Sequence, residues 1–304
     1  MSIADAGAVA GQLSGAALGQ LGETDELVIQ PRRGWIAVDW RELWRSRELL
    51  YFLVWRDIKV RYKQAVLGIA WAVLQPAVQM LVFTLIFGVA AGFRKSLPNV
   101  PYSVFVLSGL LPWQLFAIAL SMGGMSLVNQ QHLLTKIYFP RLFIPTAVVG
   151  GALVDLAVAS LLFAAILVAC GIVPTWGILL LPALLAVTVA VALGMAYLLA
   201  ALTVTYRDFR FIVPFLTQIW MWVSFVPLPP EIVKDSRWKW LLSLNPMYSI
   251  IAAWRKVLLG SRAEDFRIGW DWRYFTISLL LTAGVFVLGL FYFRRTERRF
   301  ADIA

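Results

Sequence analysis

The chain has 304 residues, 61% of them hydrophobic and 14% charged, with a mean hydropathy of +0.77, a net charge of +10, one cysteine and one histidine. Water-soluble domains are about 45–50% apolar and about 25% charged, so most of this surface needs a bilayer as its solvent. A disulfide framework is excluded by the lone Cys170, and Cys170 with His132 is too small a set for a zinc site, so no metal is expected. Nucleic acid is also disfavoured as a partner, because Lys and Arg gather between apolar runs, where they meet anionic membrane lipids and set topology.

Residues 1–34 are rich in Ala, Gly, Ser and Gln and lack the basic flank and apolar core of a signal peptide, and they read as a disordered extension. Residues 35–64 behave differently. Trp40, Leu43, Trp44, Tyr51, Val54, Trp55, Ile58 and Tyr62 recur at three- and four-residue steps, while Arg41, Arg45, Arg56, Lys59 and Lys63 hold much of the other face. That pattern describes an amphipathic helix in the membrane interface, either a headgroup anchor or a docking surface for a cytoplasmic partner. Residues 65–304 then read as an all-α integral membrane domain of six spans, near 66–92, 102–128, 143–172, 176–204, 210–227 and 272–293, judged against the roughly 20 apolar residues a spanning helix requires. Pro174 makes the third and fourth a tight hairpin, and Pro214 and Pro227 bracket a short fifth. Between the fifth and sixth, Trp238, Trp240, Trp254 and Trp270 surround an apolar stretch from Pro246 to Leu259 that is too short to cross. It reads as a re-entrant or interfacial helix, buried in protein or lining a cavity, and so as a gate at the outer end of a pore. Seventeen of the 27 Lys and Arg fall on the side that carries the N-terminus, which predicts both termini inside.

Catalytic chemistry is sparse. The spans hold one clearly central acid, Asp155, which is either a functional group or a hydrogen-bonding residue between helices packed near Gly150 and Gly151. No phosphate-binding G-x-x-x-x-G-K-[ST] loop occurs, so a driven process needs a separate ATPase that binds ATP and Mg; the chain itself is expected to be neither an enzyme nor a cofactor carrier. Aromatic side chains are abundant. Trp71, Phe83 and Phe87 on the first span and Phe215, Trp220 and Trp222 on the fifth are candidates for a track of weak stacking contacts to a sugar chain, against the plainer roles of core and lipid contact.

The run WRDIKVRYKQAVLGIAWAVLQP from Trp55 to Pro76 resembles the signature of ABC-2 type permeases that export bacterial surface polysaccharides. SGLLPWQLF (Ser108 to Phe116), LLTKIYFPR (Leu133 to Arg141), YRDFR (Tyr206 to Arg210) and LNPMY (Leu244 to Tyr248) match the same family in the same order. In character the chain is most similar to O-antigen permeases, with capsule and teichoic acid permeases close behind. The resemblance implies the ABC-2 (type V exporter) fold, a homodimer in the bacterial inner membrane, two cytoplasmic ABC ATPase subunits and a lipid-linked polysaccharide substrate, and it leaves room for a periplasmic export partner.

It also assigns roles. Arg56, Asp57, Lys59, Arg61 and Lys63 on the amphipathic helix, with His132, Leu133, Thr135, Lys136 and Arg141 between the second and third spans, would couple to the ATPase. Tyr206, Arg207 and Asp208 would brace the fifth span. Short re-entrant helices bearing Asn245, Pro246, Tyr248 and Trp254 would close the channel against the periplasm, and the lipid pyrophosphate would sit near Arg94, Lys95 or Arg56. Two other classes stay open: an ABC-2 exporter of a small molecule such as a drug or haem, which needs only a compact pocket, and a membrane-embedded glycosyl or acyl transferase, which needs a clustered acid and base.

Overall fold

The computed structural model describes residues 40–63, 68, 70–97, 100–131, 139–173, 175–229, 239–260 and 272–297. The expected extension 1–34 and the coupling residues His132, Leu133, Thr135 and Lys136 lie outside them. Among the described residues every regular element is helical. Five helices are long and apolar enough to cross a membrane: Ala70–Ala90, Tyr102–Asn129, Phe143–Ala169, Trp176–Thr205 and Trp272–Glu297. These are the first, second, third, fourth and sixth spans expected from the sequence.

The fifth is different. Its helix runs Phe209–Val223, 15 residues, or about 22 Å at 1.5 Å per residue, short of the roughly 30 Å hydrocarbon core. The expected span to residue 227 is cut because the chain leaves the helix through a left-handed residue. Phe225 has φ 54°, and the NH groups of Phe225 and Val226 return to the carbonyls of Trp222 and Met221 at 3.0 and 3.4 Å. This is a helix-ending Schellman turn, in which glycine is the usual left-handed residue. The third span ends the same way with a real glycine. Gly171 (φ 63°) and Ile172 donate to Val168 and Leu167, and the hairpin to the fourth span follows.

The second span forms the core of the bundle, buried from Tyr102 through Leu120 at nearly every position. Glycines set how closely its neighbours approach. A Cβ on Gly123 or Gly124 would come within 2.9 Å of Ala196 or Leu199 on the fourth span, and one on Gly289 of the sixth would sit 2.0 Å from the Gly194 carbonyl oxygen of the fourth. In lipid, where apolar side chains gain nothing by leaving the solvent, such close backbone approach is what holds helices together. Several hydroxyls inside the spans are satisfied within their own helices: Thr84, Ser121, Ser160, Thr188 and Thr203 each donate to the carbonyl four residues back, while Ser278 of the sixth donates across to the Pro246 carbonyl.

The amphipathic segment is broken at Ser46 into Trp40–Arg45 and Arg47–Lys63. The packed face of the longer piece is aliphatic: Leu53 is buried, and Leu49, Leu50 and Val54 pack with it against Phe143, Ile144 and Ala147 of the third span. Trp44, Tyr51 and Trp55 form the exposed stripe, with Arg47 over the Trp44 ring and Lys59 over Trp55. The helix Pro246–Leu259 is buried at every position except Lys256.

Candidate functional site

Two polar assemblies stand out in the apolar bundle. The first joins the helix Arg47–Lys63 to the end of the second span and to the first half of the third, as far as Asp155. Residues 50, 54, 57 and 61 repeat at four-, three- and four-residue steps, so one stripe of this helix carries Leu50, Val54, Asp57 and Arg61 toward the bundle. Gly150 makes room for Val54, since a Cβ there would stand 2.7 Å from Val54 Cγ2. Further along the same two helices, the Arg61 guanidinium and the Tyr62 hydroxyl both donate to the Asp155 carboxylate. Asp155 therefore has a cationic partner, supplied by the N-terminal helix and not by another span. Arg61 also reaches Met122 Sδ at 3.6 Å, and Arg56 bridges Asp57 and Gln130 at 2.8 Å each. The contacts advance along the third span and retreat along the second, so the helix runs beside both spans at this end of the bundle.

The remaining residues singled out from this region are dispersed. Lys59 and Lys63 are exposed, with Lys59 against its own Trp55. Arg141 donates to the Glu297 carbonyl at 2.7 Å, tying the start of the third span to the end of the sixth. Arg207 and Asp208 are exposed at the start of the fifth helix, where the Asp208 carbonyl accepts from Phe211 and Ile212.

The second assembly surrounds the turn after the fifth helix. Asn245 caps Pro246–Leu259: its Oδ1 accepts from the Met247 NH at 3.1 Å and from Trp220 Nε1 at 2.9 Å, while its Nδ2 donates to Ser224 Oγ at 2.9 Å. Pro246, without an NH, occupies the first helical position, where none is needed. The motif LNPMY is thus a cap that also binds the fifth helix. At the other end, Arg255 is 2% exposed and points back to the turn. Its Nη2 donates to the carbonyls of Val226 (2.6 Å) and Phe225 (3.2 Å), and its Cζ lies 3.9 Å from the centre of the Phe105 ring. An arginine stays charged in proteins, so this is a buried cation held by backbone dipoles and a ring face. Tyr102 donates to Pro227, Tyr248 packs edge-on to Phe225 at 5.8 Å, and Trp254 Nε1 reaches Thr188 Oγ1 at 3.1 Å.

The aromatic candidates separate into three groups. Phe83, Phe87 and Trp222 meet, with ring centres 5.7–6.1 Å apart, and Phe93 stacks on Phe87 at 6.4 Å. Trp220 turns into the core against Phe116 at 5.2 Å. Trp71 and Phe215, 52% and 66% exposed, point outward. Sequence reasoning missed Ser224, Phe225 and Arg255, and it placed Tyr62 and Gln130 only within the coupling segments, without their partners. An arginine inside the apolar run AAWRKVLL was the available signal for Arg255.

A family model for ABC-2 type transporters matches residues 48–259. An O-antigen export system permease protein from Myxococcus xanthus is 35% identical over 226 residues, 74% of this chain and 85% of that one. A protein of the same description from Klebsiella pneumoniae is 26% identical over 262 residues, 84% of this chain and 95% of its own. A polysialic acid transport protein from Escherichia coli is 23% identical over 254 residues, covering 80% and 91%.

Proposed function

From the chain's membership of the ABC-2 type transporter family, we propose that it is the permease subunit of an ATP-driven exporter that carries a lipid-linked surface polysaccharide, most closely O-antigen, across the bacterial inner membrane. The observation that carries this reading is the similarity to O-antigen export permeases along most of both chains. Two permeases pair, and two cytoplasmic ATPase subunits bind ATP and Mg. The basic end of the bundle, with the helix Arg47–Lys63 and the loop before Arg141, faces the cytoplasm. Closure of the ATPase pair pushes on Arg56, Asp57, Lys59, Arg61 and Lys63 and on the loop carrying His132, Leu133, Thr135 and Lys136.

Pairing uses the first span and the fifth helix, whose apolar faces are left open. Val78, Leu81, Leu85 and Val89 make one stripe, and Phe211, Phe215, Ile219 and Val223 the other. The polysaccharide passes between these faces, in contact with aromatic rings such as Trp71, Phe87 and Trp222. The helix Pro246–Leu259, with Asn245, Tyr248 and Trp254, closes the outer end. Here the chain supplies a path and the ATPase supplies the work.

Co-expression with the ATPase encoded beside it tests this. A complex should co-purify with ATP hydrolysis, and surface polysaccharide should be lost when the chain is deleted. Charge reversal at Arg56 and Lys136 together should abolish both polysaccharide and stimulated hydrolysis. A chain that binds no ATPase, and whose deletion leaves surface polysaccharide intact, refutes the reading.

A further inference from the structure

We infer that the helix Arg47–Lys63 and the third span move as one rigid body, clamped by Asp155, so that force on the helix enters the bundle through the third span. The proposal rests on the exporter reading above, and Asp155 is in it a positioning residue.

Three observations carry it. The main packing partner of the helix is the third span, through Leu53, Val54 and their neighbours against Phe143, Ile144 and Ala147. At one level Gly150 lets the two backbones close on Val54, and a Cβ on Gly151 would lie 3.8 Å from Arg61 Nη2. At a second level Asp155 takes the Arg61 guanidinium and the Tyr62 hydroxyl together, one on each carboxylate oxygen. Two separated points of attachment fix a helix in translation and in rotation, which one cannot. The second point is directional: with both oxygens of the mostly buried Asp155 carboxylate engaged, a slide of the helix breaks two hydrogen bonds at once. A coupling helix seated only on apolar residues could slip by fractions of a turn under load. With Asp155 engaged, it carries the third span along, and Arg56 on Gln130 brings the end of the second span with it.

The geometry offers a direct test. In a Cys170→Ala parent, cysteines at positions 54 and 150 have Cβ atoms about 3.7 Å apart, within the roughly 3.5–4.5 Å that disulfides span. The Val54→Cys/Gly150→Cys pair, co-purified with its ATPase and held in inside-out vesicles, is oxidised and then reduced. The readouts are the cross-linking rate, ATP hydrolysis and ATP-dependent uptake of lipid-linked polysaccharide. The disulfide is expected to form readily and to leave uptake per ATP within twofold of the reduced protein, because it locks parts that do not move relative to each other. Asp155→Asn should slow cross-linking at least fivefold and lower uptake per ATP at least tenfold without lowering the yield of complex. Once formed, the disulfide should restore uptake, and reductant should remove the rescue.

Arrest of uptake by the disulfide in the parent overturns the inference, as does cross-linking of Asp155→Asn at the parent's rate. The cross-linking rate is read whatever the chain transports, so the clamp is judged even if no ATPase binds and no polysaccharide moves, an outcome that refutes the exporter reading instead. If Asp155→Asn fails to fold, the oxidised parent still decides.

Discussion

Adding a methyl group at Gly109 should expose the role of Arg255 through a change of sign. Replacing glycine by alanine inside a helix ordinarily stabilises by about 0.5–1 kcal/mol. At Gly109 the new Cβ would stand 2.6 Å from Arg255 Nη2 and 3.3 Å from the Val226 carbonyl oxygen, so the guanidinium must move. Moving it breaks its bonds to Val226 and Phe225 and strands two buried acceptors. A hydrogen bond to a charged group contributes about 1.5–3 kcal/mol. The longer 3.2 Å contact belongs at the weak end, and the two share one nitrogen, so the joint loss is about 2–4 kcal/mol. Less the helix gain, Gly109→Ala should destabilise by about 1–3 kcal/mol. In an Arg255→Met background the obstruction and the bonds are already gone, and the same substitution should stabilise by up to about 1 kcal/mol. The coupling between the two sites is then about 2–4 kcal/mol, measured as a double-mutant cycle on denaturation midpoints of the detergent-solubilised chain. If Gly109→Ala has the same effect in both backgrounds, the guanidinium does not hold the turn and the reasoning fails.

Three further outcomes follow from the same geometry. Asn245→Ala should cost about 2–4 kcal/mol, combining a lost helix cap with the stranded Trp220 indole NH. Asn245→Asp, which keeps both acceptor contacts, should recover most of it in the same melting assay. Gly289→Ala should abolish monodisperse protein in size-exclusion chromatography because its Cβ would meet the Gly194 carbonyl, whereas Gly284→Ala, with nothing within 4 Å, should elute as the parent. Trp71→Ala and Phe87→Ala should lower surface polysaccharide while leaving the assembled permease at its normal size; full export in both would refute an aromatic track.

The spans were readable because about 20 consecutive apolar residues have few other uses, and their limits came within a few residues of those observed. The fifth helix was not readable to its end. A helix stop is normally announced by glycine, and here Phe225 takes the left-handed position while its carbonyl is held by an arginine 30 residues away. A backbone carbonyl has no letter in a sequence, so nothing there shows that Arg255 is held by the turn after the fifth helix. Asp155 was legible as an anomaly, but its partners were not. Arg61 and Tyr62 lie 94 and 93 positions earlier, on a helix whose aromatic stripe drew attention away from its aliphatic packed face. The LNPMY motif was recognisable as a pattern, while its cap chemistry needed Trp220 and Ser224 in place.

The second span contains a π-helical turn at Ala119–Gly123, between Tyr102–Ile118 and Gly124–Asn129. Such a turn houses one residue more than an α-helix uses for the same rotation. A helical wheel drawn at 100° per residue straight through the span therefore misplaces everything after Gly123 by about a quarter turn. The discrepancy has an evolutionary consequence: the span should tolerate a change of length here better than elsewhere along it. Removing one residue from this turn would return it to α-helix with both flanking faces still aligned, Trp113 and Phe116 on one side and Gly124 and Gln130 on the other. The same deletion two turns earlier would rotate half the core out of place, so alignments of related chains should concentrate their single-residue gaps at this turn.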